Sequence, residues 1–198
     1  IVTNAVPHLQ SKVVINADLK DFFLLFGYRR VKGVFESFGY SEAVSAVLAL
    51  LTTHADTECV SLDGATFYLA QGERCLPQGA PTSPALTNIL CWKLDKRLQG
   101  TARALDFTYT RYADDLSFSS KTAEREASSQ LLWRVRKVVS AEGFQLHPDK
   151  TRVMYRHKRQ EVTGIVVNEK PSLERRELKN FRALLHQIES TGPQGKHW

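Results

Sequence analysis

The segment FTYTRYADDLSF, residues 107–118, places two adjacent aspartates between two runs in which polar and apolar side chains alternate. An alternation with a period of two is typical of half-buried strands, and two such runs separated by a few residues are typical of a hairpin. The pattern therefore predicts two antiparallel strands with Asp114 and Asp115 at the turn between them. Turns prefer Gly, Asn and Pro, so apolar flanks around two carboxylates are unusual, although a solvent-exposed acidic turn remains an alternative.

Two carboxylates walled by apolar side chains need a positive partner, because like charges this close repel each other and raise a pKa. A third carboxylate, Asp18, ends a β-branched run that begins at Val13. Mg²⁺ suits such a set, since it takes one or two carboxylates together with phosphate oxygens and waters. Two such ions about 3.5–4 Å apart assist the in-line displacement of a phosphoryl group. The residues therefore favour a metal-dependent phosphoryl-transfer site.

Outward from this hairpin, strand and helix patterns alternate along the chain. Further strands are predicted at residues 13–18, 66–70 and 162–167, the last interrupted by Gly164. Helices are predicted after a Ser41 cap with Val44, Val47, Leu48 and Leu51 as its apolar positions, after a Ser83 cap through Leu98, over 122–141, and over 173–189. Residues 76–82 are predicted to form a loop. This order predicts an α+β fold, an antiparallel sheet with helices packed on one face.

Composition narrows the class of protein. The 198 residues include 27 Lys and Arg against 21 Asp and Glu, a formal charge of +6, and 42% are hydrophobic, which excludes wholesale disorder. The longest nearly apolar stretch, residues 43–51, is shorter than the roughly 20 residues of a membrane span. Three cysteines without a paired motif indicate a reducing compartment and argue against zinc. We therefore expect a soluble cytoplasmic protein of one domain, with no membrane partner.

Basic residues concentrate in the last part of the chain. Residues 150–182 contain ten Lys or Arg and four Glu. A charge asymmetry of this kind favours a polyanionic partner such as a nucleic acid. A solvated basic surface is the alternative.

Three segments resemble reverse transcriptases. Residues 112–115, YADD, resemble the Y-x-D-D box of these enzymes, and residues 18–23, DLKDFF, resemble the motif that carries their first carboxylate. Residues 76–84 through Asn88 are similar to the loop and helix of the bacterial members. After Phe23, however, the family usually has a Pro-Ser-Ile run, whereas this chain has Leu24 and Leu25.

A finer resemblance is to the retron type of reverse transcriptase. Residues 4–8, NAVPH, resemble the N-A-x-x-H element that precedes the palm of retron enzymes. Residues 162–168, VTGIVVN, resemble their V-T-G-x-V-x-N segment. The resemblance covers about residues 4–190, almost the whole chain.

The resemblance implies a role for each matching residue. Asp18, Asp114 and Asp115 would hold two magnesium ions, and Lys150 would protonate or neutralise the pyrophosphate leaving group. The implied contacts with the incoming nucleotide are at Leu19, Asp21, Phe22, Phe23, Gln78 and Tyr112, and those with the nucleic acid are at Arg111, Arg152, Lys158 and Gly164. Among these, the bulky ring of Phe23 would exclude a ribose 2′-hydroxyl.

Several of these roles have structural alternatives. Phe23 could be a core residue, and Gln78 could stabilise the turn in which it lies. Lys150 could be a phosphate-facing surface charge. Gly164 would allow backbone to approach the primer end closely, or it could mark an ordinary β-bulge.

The resemblance also implies a domain plan and partners. Residues 1–168 would be a palm, with a residual fingers-side segment at 1–12, and residues 169–198 would begin a thumb. The substrates would be dNTPs, a DNA or RNA primer and a structured non-coding RNA template, with a possible effector protein, in bacterial anti-phage defence. Group II intron, diversity-generating and abortive-infection reverse transcriptases are alternatives, as is a non-catalytic nucleic-acid-binding palm. Because only 17 residues precede Asp18, we expect the isolated chain to be weakly active or inactive.

Overall fold

The computed structural model describes residues 1–194, which form a mixture of helices and antiparallel strands. The strands are β1 (Val13–Asp18), β2 (His54–Leu62), β3 (Ala65–Cys75), β4 (Thr108–Tyr112), β5 (Asp115–Ser120), β6 (Arg152–Tyr155), β7 (Glu161–Val162) and β8 (Ile165–Val166). The helices are α1 (Val2–Ala5), α2 (Tyr28–Ser37), α3 (Glu42–Thr52), α4 (Ser83–Leu90), α5 (Trp92–Arg103), α6 (Arg125–Ala141) and α7 (Arg175–Thr191). This mixture agrees with the predicted α+β class.

A four-stranded antiparallel sheet in the order β4-β5-β1-β6 forms the centre of the fold. Strand β1 lies inside the sheet, and its β-branched residues Val13, Val14 and Ile15 are fully buried. Because successive side chains of a strand point to opposite faces, Val13 and Ile15 enter the larger hydrophobic core and Val14 enters a smaller one. This strand therefore anchors both faces of the sheet.

Helices α5 and α6 provide much of the larger core. Their buried residues, Leu94, Leu98, Ala102, Leu131, Val135 and Val139, belong to the same cluster as Ile15, Leu116 and Phe118 of the sheet. The predicted inward face of the 122–141 helix is confirmed at its centre. Gly143, with a φ of 82°, follows the end of α6 as predicted.

The opposite face of the sheet is covered too, which the sequence did not predict. Ala5 of α1 and the buried side chains Val162, Ile165 and Val167 pack against Val14. The backbone N–H of Gln10 donates to the carbonyl of Val167 (3.0 Å). The two segments that resemble retron elements, residues 4–8 and 162–168, thus pack together on this face.

The predicted strand at 162–167 is wrong in form. Thr163 and Gly164 have φ values of 47° and 80°, and they join β7 to β8 in a tight hairpin. Two consecutive positive φ values are typical of the two-residue turns that connect antiparallel strands. Gly164 therefore occupies a hairpin turn and not a bulge. The two arms are so short that their apolar residues, taken together, have the pattern of a single strand.

Strands β2 and β3 form a long hairpin. The predicted strand at 66–70 lies within β3, which extends past both of its ends. Nearly all of the hairpin's side chains are exposed, so its residues carry no alternation between buried and exposed positions that a sequence pattern could show. Its base is joined to the rest of the fold by a bridge between Gly27 and Cys75.

Two helix predictions need correction. Ser41 does cap α3, where its hydroxyl accepts from the N–H of Val44 (3.4 Å). The buried side of α3, however, consists of Ser45 and Ala49, while Val44, Val47 and Leu51 are exposed. Small side chains allow α3 to lie close to α2, and the apolar stripe predicted to face inward is left outside.

Ser83 is not a helix cap. It is the first residue of α4, and its hydroxyl donates to the carbonyl of Pro77 (2.7 Å), which closes the preceding loop. The predicted helix from Ser83 to Leu98 is also divided at Cys91, where φ and ψ are −88° and 0°.

Helix α7 agrees with the predicted last helix and ends at Gly192. None of its residues is buried. Residues 195–198, which the sequence assigned to the start of a thumb, lie outside the described residues. In the part of the chain that is described, no helix is long and apolar enough to cross a membrane.

Candidate active site

The three predicted carboxylates meet at one edge of the central sheet. Asp18 ends β1 and lies directly opposite Asp115, the first residue of β5. Side chains of directly paired residues point to the same face, and Asp18 contributes to the raised pKa of the Asp115 carboxyl. Asp114 lies in the two-residue turn between β4 and β5, and its carbonyl accepts from the N–H of Leu19 (3.0 Å). The turn is therefore fixed to the end of β1.

The electrostatics of the site show an excess of negative charge. Burial raises the pKa of Asp115 to about 6, and the charges of Asp114 and Asp18 contribute to this rise. Burial also raises the pKa of Asp114, with a contribution from Asp18. Lys150 is the nearby cation, with its Nζ 3.1 Å from Asp18 Oδ1, and this hydrogen bond raises the pKa of Lys150. One ammonium group faces three carboxylates.

The donor set fits a hard divalent cation that substrate helps to coordinate. Within residues 1–194, no three His, Cys, Asp or Glu side chains are arranged to hold a metal ion by themselves. Mg²⁺ takes only one or two carboxylates from the protein and completes its octahedral shell with phosphate oxygens and waters. Asp18, Asp114 and Asp115 offer carboxylate oxygens. Burial is the main cause of the raised pKa values of Asp114 and Asp115, and repulsion from the neighbouring carboxylates, which a cation would relieve, adds to it.

An open cleft of about 700 Å³ adjoins the carboxylates. Asp18, Asp114 and Lys150 line one part of it, and Phe23 and Gln78 line another. Phe23 is half-buried and packs edge-on against Phe22, with the ring centroids 5.2 Å apart. Gln78 is exposed in the loop before α4. The structure thus brings these predicted residues to one cavity.

Of two further predicted residues, Asp21 lines the cleft and Tyr112 does not. Asp21 is exposed and has a left-handed φ of 50°. Tyr112 is exposed at the end of β4, paired with Asp115 in the hairpin.

Leu19 and Phe22 also line the cleft, although most of each side chain is buried in the hydrophobic core, and their contact with substrate remains a prediction. Leu19 is 1% exposed and Phe22 is 3% exposed. The Phe22 ring packs against Phe26 and Phe144, at centroid distances of 5.0 and 6.2 Å. Adjacent residues of the short 3₁₀ turn point in different directions, so Phe22 supports the floor of the site while Phe23 faces the cleft.

Arg111 was predicted to contact nucleic acid, and the structure corrects this prediction. Its side chain is 5% exposed, and its Nε and Nη2 donate to both oxygens of Asp95 on α5 (2.8 and 2.7 Å). Its Nη1 donates to the carbonyl of Ala113 in the acidic turn (3.0 Å). The hydroxyl of Tyr109 also donates to Asp95 (2.8 Å). Arg111 therefore joins the acidic turn to α5.

The other residues predicted to bind nucleic acid lie outside the cleft lining. Arg152 is exposed on β6, and Lys158 is exposed in the loop that follows. Gly164 lies in the β7–β8 turn with open space around its Cα. Their predicted role in binding remains a prediction.

Sequence reasoning missed the structural role of His8. Its ring nitrogens lie 2.7 Å from Ser119 Oγ and 2.8 Å from Thr110 Oγ1, so it joins the N-terminal segment to both strands of the acidic hairpin. Burial lowers the pKa of His8 to about 4, so the ring is neutral at pH 7. Its match to the N-A-x-x-H element was the only signal in the sequence.

A second missed group lies at the base of the β2–β3 hairpin. His54, Asp56 and Glu73 line the cleft together with Asp18 and Lys150. No motif marks them in the sequence, because the hairpin that carries them has no buried face.

We predict that Asp115→Asn stabilises the protein at neutral pH. The folded pKa of about 6 exceeds the unfolded value near 3.9, so the folded state binds the extra proton and stability falls as pH rises from about 4 to about 6. Because the group is only half-buried, we expect a gain of roughly 1 kcal/mol at pH 7 and none at pH 4. Thermal melts in chelator across this range measure it. A gain that is equal at both pH values would contradict the prediction.

An antiparallel sheet that carries carboxylates at a hairpin turn, beside the end of the inner strand β1 and next to an open cleft, is consistent with a polymerase palm. A family model described as reverse transcriptase (RNA-dependent DNA polymerase) matches residues 2–171. The chain belongs to the reverse transcriptase family.

Its curated relatives include three retron enzymes. The chain is 52% identical over 176 residues to Retron Mx162 reverse transcriptase of Myxococcus xanthus, a match that covers 85% of the chain and 36% of the relative. It is 44% identical over 187 residues to Retron Mx65 reverse transcriptase of the same organism, covering 94% and 43%. It is 34% identical over 189 residues to Retron Ec86 reverse transcriptase of Escherichia coli, covering 95% and 53%. These matches confirm the resemblance to the retron type, and the chain spans between a third and a little over half of these relatives.

Proposed function

We propose that this chain forms the palm of a retron-type, RNA-directed DNA polymerase that adds dNTPs to a primer 3′-hydroxyl on a structured RNA template. The observation that carries the proposal is the pairing of Asp18 with Asp115 beside the fixed turn that holds Asp114, where Asp18 and Asp114 line an open cleft. The names of the relatives favour the retron type over the group II intron, diversity-generating and abortive-infection types.

Asp18 and Asp114 would be the principal ligands of two Mg²⁺ ions, and Asp115 would support them. When bound, such ions lower the pKa of an attacking hydroxyl and neutralise charge on a triphosphate. The chain's own residues orient the carboxylates and limit the space for the sugar of the nucleotide. The backbone hydrogen bond from the N–H of Leu19 to the carbonyl of Asp114 fixes the Asp114 turn relative to Asp18. The ring of Phe23 limits the space at the sugar.

Lys150 would serve the leaving group. Its ammonium lies 3.1 Å from Asp18, and the raised pKa keeps it protonated at neutral pH. Its side chain is about half exposed, so it is free to turn from Asp18 towards a phosphate in the cleft. A charged donor at that place would stabilise the negative charge that develops on the departing pyrophosphate.

The domain plan and partners belong to the same proposal. Residues 1–168 would be the palm and 169–198 the start of a thumb, which the absence of buried residues in α7 supports. The basic residues from Lys150 onward would follow the template-primer backbone, so binding would weaken as salt increases. A non-coding RNA, an effector protein and a role in anti-phage defence complete the proposal. Sequencing of nucleic acid that co-purifies with the full-length protein can test the non-coding RNA.

The decisive experiment is primer extension on an RNA template by the full-length protein that contains this chain. We expect dNTP incorporation that requires Mg²⁺ or Mn²⁺ and stops in chelator. A full-length protein that binds the template-primer yet extends no primer under any of these conditions would favour a non-catalytic binding module instead.

We predict that Phe23→Val increases incorporation of ribonucleotides relative to deoxyribonucleotides. The smaller side chain opens room for a 2′-hydroxyl, and differences of a few methylenes in a pocket change discrimination about 10- to 100-fold. Single-nucleotide incorporation with matched dNTP and rNTP measures the ratio. Leu24→Ala, at an exposed neighbour that also lines the cleft, is the matched control. An unchanged ratio in Phe23→Val would assign Phe23 to packing alone.

A further inference from the structure

The outer surface of α5 and α6, remote from the acidic turn, carries a basic and aromatic groove. Trp133, Arg136 and Lys137 of α6 share one face because their spacing is i, i+3 and i+4. Arg97 of α5 lies across from them, held by an ion pair with Glu142 (2.5 Å). The depression that they line measures about 640 Å³.

This groove connects to the cleft of the proposed active site through a second depression of about 440 Å³. His147 lines both the cleft and the second depression. Arg136 and Ser140 line both the second depression and the groove. Shared lining residues thus place the three depressions side by side, and we call their line from Asp18 and Asp114 to Trp133 the track.

Trp133 is presented in a way that suits stacking. The Nζ of Lys137 lies over one face of its ring, 3.8 Å from the centroid, so a base would stack on the other face or displace this ammonium. The residue nevertheless remains 56% exposed. An exposed, oriented aromatic ring beside cationic side chains is the combination by which proteins bind single-stranded nucleic acid without sequence preference, since bases stack on the ring and phosphates meet the cations.

We propose that this groove binds a single-stranded segment of nucleic acid that continues from the duplex in the cleft. The inference rests on the proposed function, because a polymerase cleft supplies the strand that enters the track. Charge supports a polyanion as the occupant: among the described residues that line the groove, Arg136 and Lys137 are cations, Arg97 is paired with Glu142 outside the lining, and none is acidic. Its continuity with the cleft favours a nucleic-acid strand over an acidic protein surface.

The test is equilibrium binding of fluorescent rU12 and dT12 to the full chain in chelator, followed by anisotropy. We expect Trp133→Ala to weaken binding about tenfold, in keeping with the loss of one base-stacking platform, and Trp133→Phe to retain most of the affinity. The double variant Arg136→Gln/Lys137→Gln should reduce the slope of log K against log salt by about 1.4, or about 0.7 for each phosphate that the variant no longer neutralises. The two oligonucleotides show whether the strand is RNA or DNA.

Trp92→Ala is the matched control, since Trp92 is also exposed (65%) and also lies under a lysine, Lys96, but does not line the groove. Its affinity should stay within about twofold of wild type. Equal effects of Trp133→Ala and Trp92→Ala, or a wild-type chain that binds neither oligonucleotide, would overturn the inference. Because binding is measured without metal or dNTPs, these outcomes are separate from a failure of primer extension, which would overturn the proposed function.

Discussion

Asp114→Asn should reduce primer extension by the full-length protein at least about 10³-fold. Asparagine keeps the size of the side chain but removes the charge, and charge stabilisation by a bound cation is worth several kcal/mol in the transition state, where roughly 4 kcal/mol corresponds to 10³-fold. The backbone bond from Leu19 to the Asp114 carbonyl does not involve the side chain, so the turn should persist. Single-turnover incorporation of a dNTP on an RNA template gives the rate.

The control separates loss of chemistry from loss of structure. Thermal melting of Asp114→Asn should match or exceed that of wild type, since burial and Asp18 both raise the pKa of this carboxyl and so oppose its charge. Asp63→Asn removes an acid at the far turn of the β2–β3 hairpin, where the left-handed φ of 50° suits Asn, and it should extend primers normally. If extension by Asp114→Asn equals that of Asp63→Asn, the catalytic assignment fails.

Arg111→Met should destabilise the fold by about 3–5 kcal/mol, the largest effect on stability that we expect from one substitution. Arg111 is almost fully buried, and its fork pairs with both oxygens of Asp95. Its removal takes away the Asp95 carboxylate's cation and the donor to the Ala113 carbonyl, which together cost more than the net value of the pair. Asp95 is 32% exposed and keeps the hydrogen bond from Tyr109, so we expect the lower end of this range. Urea denaturation monitored by tryptophan fluorescence measures the free energy of unfolding.

Two comparisons test this account of Arg111. Arg97→Met removes an arginine that is itself 42% exposed, and Lys93 remains within 3.4 Å of its partner Glu142, so this substitution should cost at most about 1 kcal/mol. The double variant Arg111→Met/Asp95→Leu should recover a large part of the loss, because it leaves no charge unpaired in the core. A cost for Arg111→Met no greater than that for Arg97→Met would show that the buried pair does not hold the turn.

Local patterns predicted the central elements well. The β4–β5 hairpin, strand β1, the Ser41 cap and the glycine after α6 each depend on a few consecutive residues, whose alternation or capping chemistry is visible in the sequence. The prediction that Asp18, Asp114 and Asp115 hold metal ions together came from the resemblance to the reverse transcriptase family. The sequence pattern alone showed only that the acidic turn needed a positive partner.

The remaining errors arose where contacts join distant residues or where burial is absent. Arg111 meets Asp95 sixteen residues away on a helix, and His8 meets Ser119 across 111 residues, so no local window contains both partners. Strand β2 was missed because its side chains are mostly exposed. The apolar face of α3 was placed inward because hydrophobicity alone does not reveal that Ser45 and Ala49 make the close contact.

The packing of residues 4–8 against residues 162–168 has a consequence for how this family diversifies. Both segments resemble elements of retron enzymes, yet neither lines the cleft. Ala5, Val162 and Val167 share one small core, and the carbonyl of Val167 accepts from Gln10. A chimera that takes only one of these segments from a distant homologue would join mismatched surfaces. We therefore expect the two segments to be inherited together and to be exchanged together in engineering.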